Sequence, residues 1–90
     1  EQVLTLSPHD ARSHYYLADI AYRAGGYEEA YRHCRNALFF DNTLKRAYLL
    51  LARIYYRTGH HEDVQDILDE YGLDFSEFAE KVDAEKVPHE

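Results

Sequence analysis

Ninety residues, 46% of them hydrophobic and 14% aromatic, make one small domain with a packed but not generous core. No run is long and apolar enough to cross a bilayer and no secretory leader opens the chain, so a soluble protein without membrane insertion is expected. The net charge of −7 is split: residues 1–61 hold 8 basic side chains against 6 acidic, and residues 62–90 hold 2 against 11, which argues against nucleic-acid binding and for a polar end cap.

The opening EQVLTLSPHD reads as the last turn of a helix followed by a stop, with Val3, Leu4 and Leu6 before Pro8. With no initiator Met, this mid-pattern start implies the tail of an earlier unit in a longer chain. Asp10 is placed to cap a helix over residues 11–24, on which His14, Leu17, Ala18 and Ala21 share one face. Gly25 and Gly26 end it. A second helix over 27–40 turns Tyr27, Ala30, Tyr31, Cys34, Ala37 and Leu38 inward, and Asp41 and Asn42 mark the following turn. The third, over 45–58, buries Tyr48, Leu51, Ala52 and Tyr55 and closes at Gly59. The fourth, over 61–71, presents Val64, Ile67, Leu68 and Tyr71 inward, carries acidic residues outward and stops at Gly72. Asp74 with Glu77 then opens a last helix over 75–86, whose stripe of Phe75, Phe78, Ala79 and Val82 is expected to cover the open face before it.

Sliding the chain by 34 residues superposes Arg12 on Arg46, Leu17 on Leu51, Ala18 on Ala52, Ile20 on Ile54, Tyr22 on Tyr56, Arg23 on Arg57, Gly25 on Gly59 and Glu28 on Glu62. Such a period marks stacked helical repeats. Leu17, Ala18, Tyr22, Gly25, Tyr27, Ala30, Ala37 and Leu38 in one unit, and Tyr48, Leu51, Ala52, Tyr56 and Gly59 in the next, resemble the tetratricopeptide repeat family over residues 3–74. After Gly59 the pattern fades: Val64 stands where the first unit has Ala30, and His61 where it has Tyr27. The resemblance implies an all-α right-handed solenoid. Its parts would be a remnant unit (1–9), two repeats (11–44 and 45–74) and a capping helix (75–87).

In that family the first helices of successive units line the inner surface of a shallow superhelix. The faces left for that surface carry Arg12, Tyr15, Tyr16, Asp19, Tyr22 and Arg23 in one helix, and Arg46, Leu49, Leu50, Arg53, Tyr56 and Arg57 in the other. Guanidinium groups suit carboxylates and tyrosines give rigid contact area, so the expected role is a non-catalytic scaffold holding a protein segment with acidic and apolar residues. Ordinary solvated arginines and space-filling tyrosines are the plainer alternative. Some family members clamp a chaperone's C-terminal carboxylate with Lys and Asn; here the corresponding positions hold Tyr15, Asp19, Arg46 and Leu50, and only Arg46 keeps the charge. Self-association through an uncovered repeat face is a second alternative, and the related class of helical repeats that reads RNA bases is a third, opposed by the acidic C-terminal third.

No cofactor or metal is expected. His60, His61 and Glu62 are consecutive, which points them apart, and no His pair at i, i+4 shares a helix. The lone Cys34 excludes an internal disulfide, fits a reducing cytoplasmic compartment, and reads as a buried inert residue with no base beside it.

Overall fold

The computed structural model describes residues 10–85. Among these are five helices and no strand: α1 (Ala11–Arg23), α2 (Tyr27–Phe40), α3 (Lys45–Arg57), α4 (His61–Tyr71) and α5 (Phe75–Asp83). The expected remnant at residues 1–9 and the end of the expected capping helix at 86–87 lie outside the described residues, and within them the last helix stops at Asp83, short of the expected 86. Within them the chain is an all-α helical repeat, α1 pairing with α2 and α3 with α4.

Local chemistry sets the helix ends. Asp10 Oδ1 accepts from the Arg12 amide at 3.0 Å, and Asp74 Oδ2 accepts from the Glu77 amide at 2.9 Å, each satisfying a donor that the first turn of a helix leaves unpaired. Gly25 and Gly59 sit at the same repeat position and both take φ 86, a left-handed conformation that costs any residue with a Cβ. There the chain folds back so that Gly26 N donates to Ala21 O at 2.8 Å and His60 N to Tyr55 O at 2.8 Å. The two turns are therefore built alike.

Small residues stand where helices meet. Ala18, Ala30, Ala37, Ala47 and Ala52 are all 0% exposed. Their size lets α2 and α3 approach until the Cys34 thiol donates to the Ala47 carbonyl at 3.0 Å. Leu50, Leu51 and Ile54 fill the space above them, and Val64 and Leu68 seal α4 on the other side.

The face expected of α1 is shifted. Ser13, Ala18 and Tyr22 are its buried residues, whereas His14 is half-buried and stacks on His33 and Phe40, with centroids 6.1 and 5.8 Å away. In α3 the buried set is Ala47, Leu50, Leu51, Ala52 and Ile54, and the expected Tyr48 and Tyr55 are only half-buried. The reason is geometric. Helix α1 packs on both α2 and α3, and α3 on both α2 and α4, so each buries an arc wider than one i, i+3, i+4 stripe.

Repeat-equivalent residues also differ in exposure. Ile54 is 2% exposed because α3 has α2 of the preceding unit against it, whereas Ile20 is 63% exposed because α1 has no preceding helix among the described residues.

Candidate functional site

Of the residues expected on the inner surface, one group converges at the C-terminal ends of α1, α3 and α5. The Tyr22 hydroxyl, from the last turn of α1, donates to Glu85 Oε1 at 2.6 Å. Arg57, one repeat on, donates from Nε to the Tyr22 hydroxyl at 3.3 Å and from Nη2 to the Val82 carbonyl at 2.7 Å, and lies 3.5 Å from Glu85 Oε1. Arg53, one turn back on the same helix, reaches Glu85 Oε2 at 3.5 Å. Tyr56 donates to the Asp83 carboxylate at 3.1 Å. One carboxylate thus takes a phenol and two guanidinium groups, while one of those guanidinium groups also holds a helix-end carbonyl. That is the chemistry expected for gripping the C-terminal end of an acidic helix.

The helix in that grip belongs to the chain itself. Its Val82 is 1% exposed, and Phe75 and Phe78 each meet the Tyr56 ring edge-on with centroids 6.1 Å apart. Between α3 and α5 a hollow of about 210 Å³ remains, lined by Leu49, Arg53, Leu73, Phe78 and Lys81 among others. Leu49 is the apolar member that joins the arginines there.

The other expected residues fall elsewhere. Arg46 holds its guanidinium 5.8 Å from the centre of the Tyr15 ring, joining α3 to α1 at the opposite end of the surface. Tyr16 packs beside Tyr15 at 5.7 Å and is 56% exposed. Asp19 is paired with Arg23 along α1 at 3.1 Å, with the Arg23 side chain 75% exposed. Arg12 is exposed in the first turn of α1.

Tyr22 and Leu50 require correction as open groove residues, being 3% and 1% exposed. Leu50 occupies the position of Tyr16 one repeat on, and that position faces the preceding unit rather than the hollow. Tyr22 presents only its hydroxyl to the site, its ring packing 5.6 Å from Tyr27. Burial, the largest cause, with Glu85 beside it, pushes its phenol up to about 12, against the pull of Arg57. It therefore donates, neutral, throughout the physiological range.

Glu85, Asp83 and the Val82 carbonyl were not foreseen as parts of the site. The signal lay in the charge split, because an acidic C-terminal third and an arginine-rich inner face complement each other.

The remaining candidates have structural surroundings. His60 Nδ1 is 2.8 Å from the Thr58 hydroxyl, and His61 stacks on Tyr56 at 5.2 Å. Among the described residues no group of three or more His, Cys, Asp or Glu side chains is placed to hold a metal ion. Cys34 is fully buried and its thiol is pushed up to about 12 by burial, so it carries no nucleophilic thiolate near neutral pH. No helix among the described residues is long and apolar enough to cross a membrane.

Compared with known proteins, residues 1–71 match the family model described as anaphase-promoting complex, cyclosome, subunit 3. No curated protein and no solved structure matches the chain.

Proposed function

Because the chain belongs to the anaphase-promoting complex, cyclosome, subunit 3 family, whose repeats are of the tetratricopeptide type and typically serve as non-enzymatic protein-binding scaffolds, we propose that its inner surface docks an acidic helical segment of a partner protein. The observation that carries this reading is the capture of Glu85 by Tyr22, Arg53 and Arg57, with the Val82 carbonyl on the same Arg57. A partner would bring a carboxylate to the arginines and apolar side chains to Leu49 and Tyr56. That the family description names a subunit of a complex supports a protein partner over a small molecule. A catalytic role has no support in the residues described: the one thiol is buried, donates to the Ala47 carbonyl and is pushed up to about 12, and the carboxylates of the site are paired with phenols and guanidinium groups.

Magnitudes bound the affinity. Part-exposed ion pairs contribute about 0.2–1 kcal/mol each, and a micromolar complex needs about 8 kcal/mol, so buried Tyr and Leu area must supply most of the binding. The expected complex is weak to moderate and loosens with salt. Isothermal titration of acidic amphipathic peptides into the chain and into an Arg53→Glu, Arg57→Glu variant tests it. Binding by the parent that is lost in the variant is the expected result, and equal binding by both removes the inner surface from consideration.

A second reading, self-association, is favoured by one cluster. Tyr16 (56% exposed), Ile20 (63%) and Phe39 (80%) leave apolar area open on the side of the first unit. Light scattering separates the two, since a pairing chain shows a mass that rises with concentration and a peptide binder stays monomeric.

A further inference from the structure

On the side of the fold formed by the start of α2, the end of α3 and the start of α4 there is a second hollow, of about 420 Å³, which shares no residue with the arginine site. Tyr27, Tyr31 and Tyr55 line it, Ile54 lies among them, and Glu28 and Asp63 bring a carboxylate from each flanking helix. The rings of Tyr31 and Tyr55 lie 6.0 Å apart at 54° to each other, which makes a corner rather than a closed stack. Asp63 lies near enough to Tyr55 that, after burial and Tyr31, it adds to the upward shift of that phenol. Among the described residues no Lys or Arg lines the hollow, but Arg35 stands at its edge, donating to the Tyr31 hydroxyl at 2.9 Å and pulling the Tyr55 phenol back down, so a further cation would meet the ring faces of Tyr27 and Tyr55.

We propose that this hollow is a binding site for a lysine side chain presented by a partner protein, its ammonium held over the tyrosine rings and flanked by Glu28 and Asp63. Aromatic faces are electron-rich and attract a cation within about 6 Å of the ring centre. The fold already uses this interaction, with Arg35 5.7 Å from the Tyr31 centroid, Lys45 5.2 Å from Tyr71 and Arg46 5.8 Å from Tyr15. An opposing field comes from the N-termini of α2 and α4, each worth about +0.5 charge. The first turns of those helices carry Glu28 and Glu29, and Glu62 and Asp63, four carboxylates against the two helix dipoles and the Arg35 guanidinium. The tyrosine ring faces and Ile54 match the four-carbon stem of lysine, whose charged end then meets the carboxylates.

The test uses three small probes on the whole chain. They are Nα-acetyl-lysine methylamide, its trimethylated form, and Nα-acetyl-norleucine methylamide, which lacks only the charged group. Tyrosine ring resonances are followed by NMR during titration. The expected result is saturable shifts at Tyr31 and Tyr55 with either lysine probe binding at least about threefold tighter than norleucine. Whichever lysine probe is tighter tells whether the methylated or the unmodified side chain is preferred. Glu28→Gln with Asp63→Asn, both at exposed positions, should cut that preference while leaving the circular dichroism spectrum unchanged. No saturable shift, equal affinity for norleucine, or a preference unaltered in the double variant overturns the proposal.

Discussion

At Gly59 the cost of a side chain is isolated from packing: φ is 86, yet a Cβ built there would meet nothing within 4 Å. Gly59→Ala should therefore lose about 1–2 kcal/mol from backbone strain alone, which for a domain of this size is a fall in melting temperature of about 4–8 °C per kcal/mol. Thermal unfolding checks it, and an unchanged midpoint would mean that the turn relaxes. Cys34 gives a second test at the same scale. Its folded thiol titrates near 12 against a usual value of 9.0, so the proton stays on longer in the folded state than in the unfolded one. The contribution to stability is complete below about pH 9 and is lost as pH rises from there toward 12, with Tyr22 adding to the loss from about pH 10. Denaturant midpoints measured from pH 7 to 11 should be flat and then fall, and Cys34→Ala should fall less steeply whatever its starting stability. A parallel fall in both would place the alkaline weakness elsewhere.

Helix α5 is held in place by a short list of side chains: Val82 buried, Phe75 and Phe78 on Tyr56, and Glu85 in the arginine site. On the function proposed above it stands where a partner's helix would stand, and a partner would then compete with a tethered occupant, whose effective concentration for a short linkage is of order millimolar. Glu85→Gln removes both ion pairs, each about 0.2–1 kcal/mol, and keeps the helix, so an acidic peptide should bind about twofold to thirtyfold tighter than to the parent chain. Fluorescence anisotropy of a labelled peptide reads this directly, and weaker binding by the variant would mean that α5 builds the site instead of blocking it. The five helices were legible because their signals are local: Asp10 and Asp74 as caps, Gly25, Gly59 and Gly72 as stops, and apolar spacing in each. The grip on α5 was not, since Tyr22 and Glu85 are 63 residues apart and no local pattern registers such a pair. Tyr22 and Leu50 were misplaced for a related reason. A helical wheel divides a helix into an inner and an outer face, whereas α1 touches α2 and α3, α3 touches α1, α2 and α4, and Tyr22 and Arg57 on them also meet Glu85 just past α5.

For the molecule as a whole, a solenoid leaves its inner surface to whatever is complementary to it. Here the complement is built into the same chain, with basic residues in the first two-thirds and acidic ones in the last. If the inner surface docks a partner as proposed, this arrangement would make it selective. Peptides without a carboxylate would not replace Glu85, and those without apolar residues would not replace Phe78 and Val82. The tyrosine hollow on α2, α3 and α4 would be free to act while the inner surface is filled, because the two share no residue. The central claim is that Arg53 and Arg57 receive a partner's carboxylate by displacing α5. Its most direct measurement is NMR of the arginine Nε–Hε resonances during titration with an acidic amphipathic peptide, recorded together with the backbone amides of residues 75–85. The account predicts that the signals of Arg53 and Arg57 move with the peptide while the amides of α5 shift toward released positions, both on one binding curve. Saturable peptide binding that leaves the Arg53, Arg57 and α5 resonances in place would contradict it.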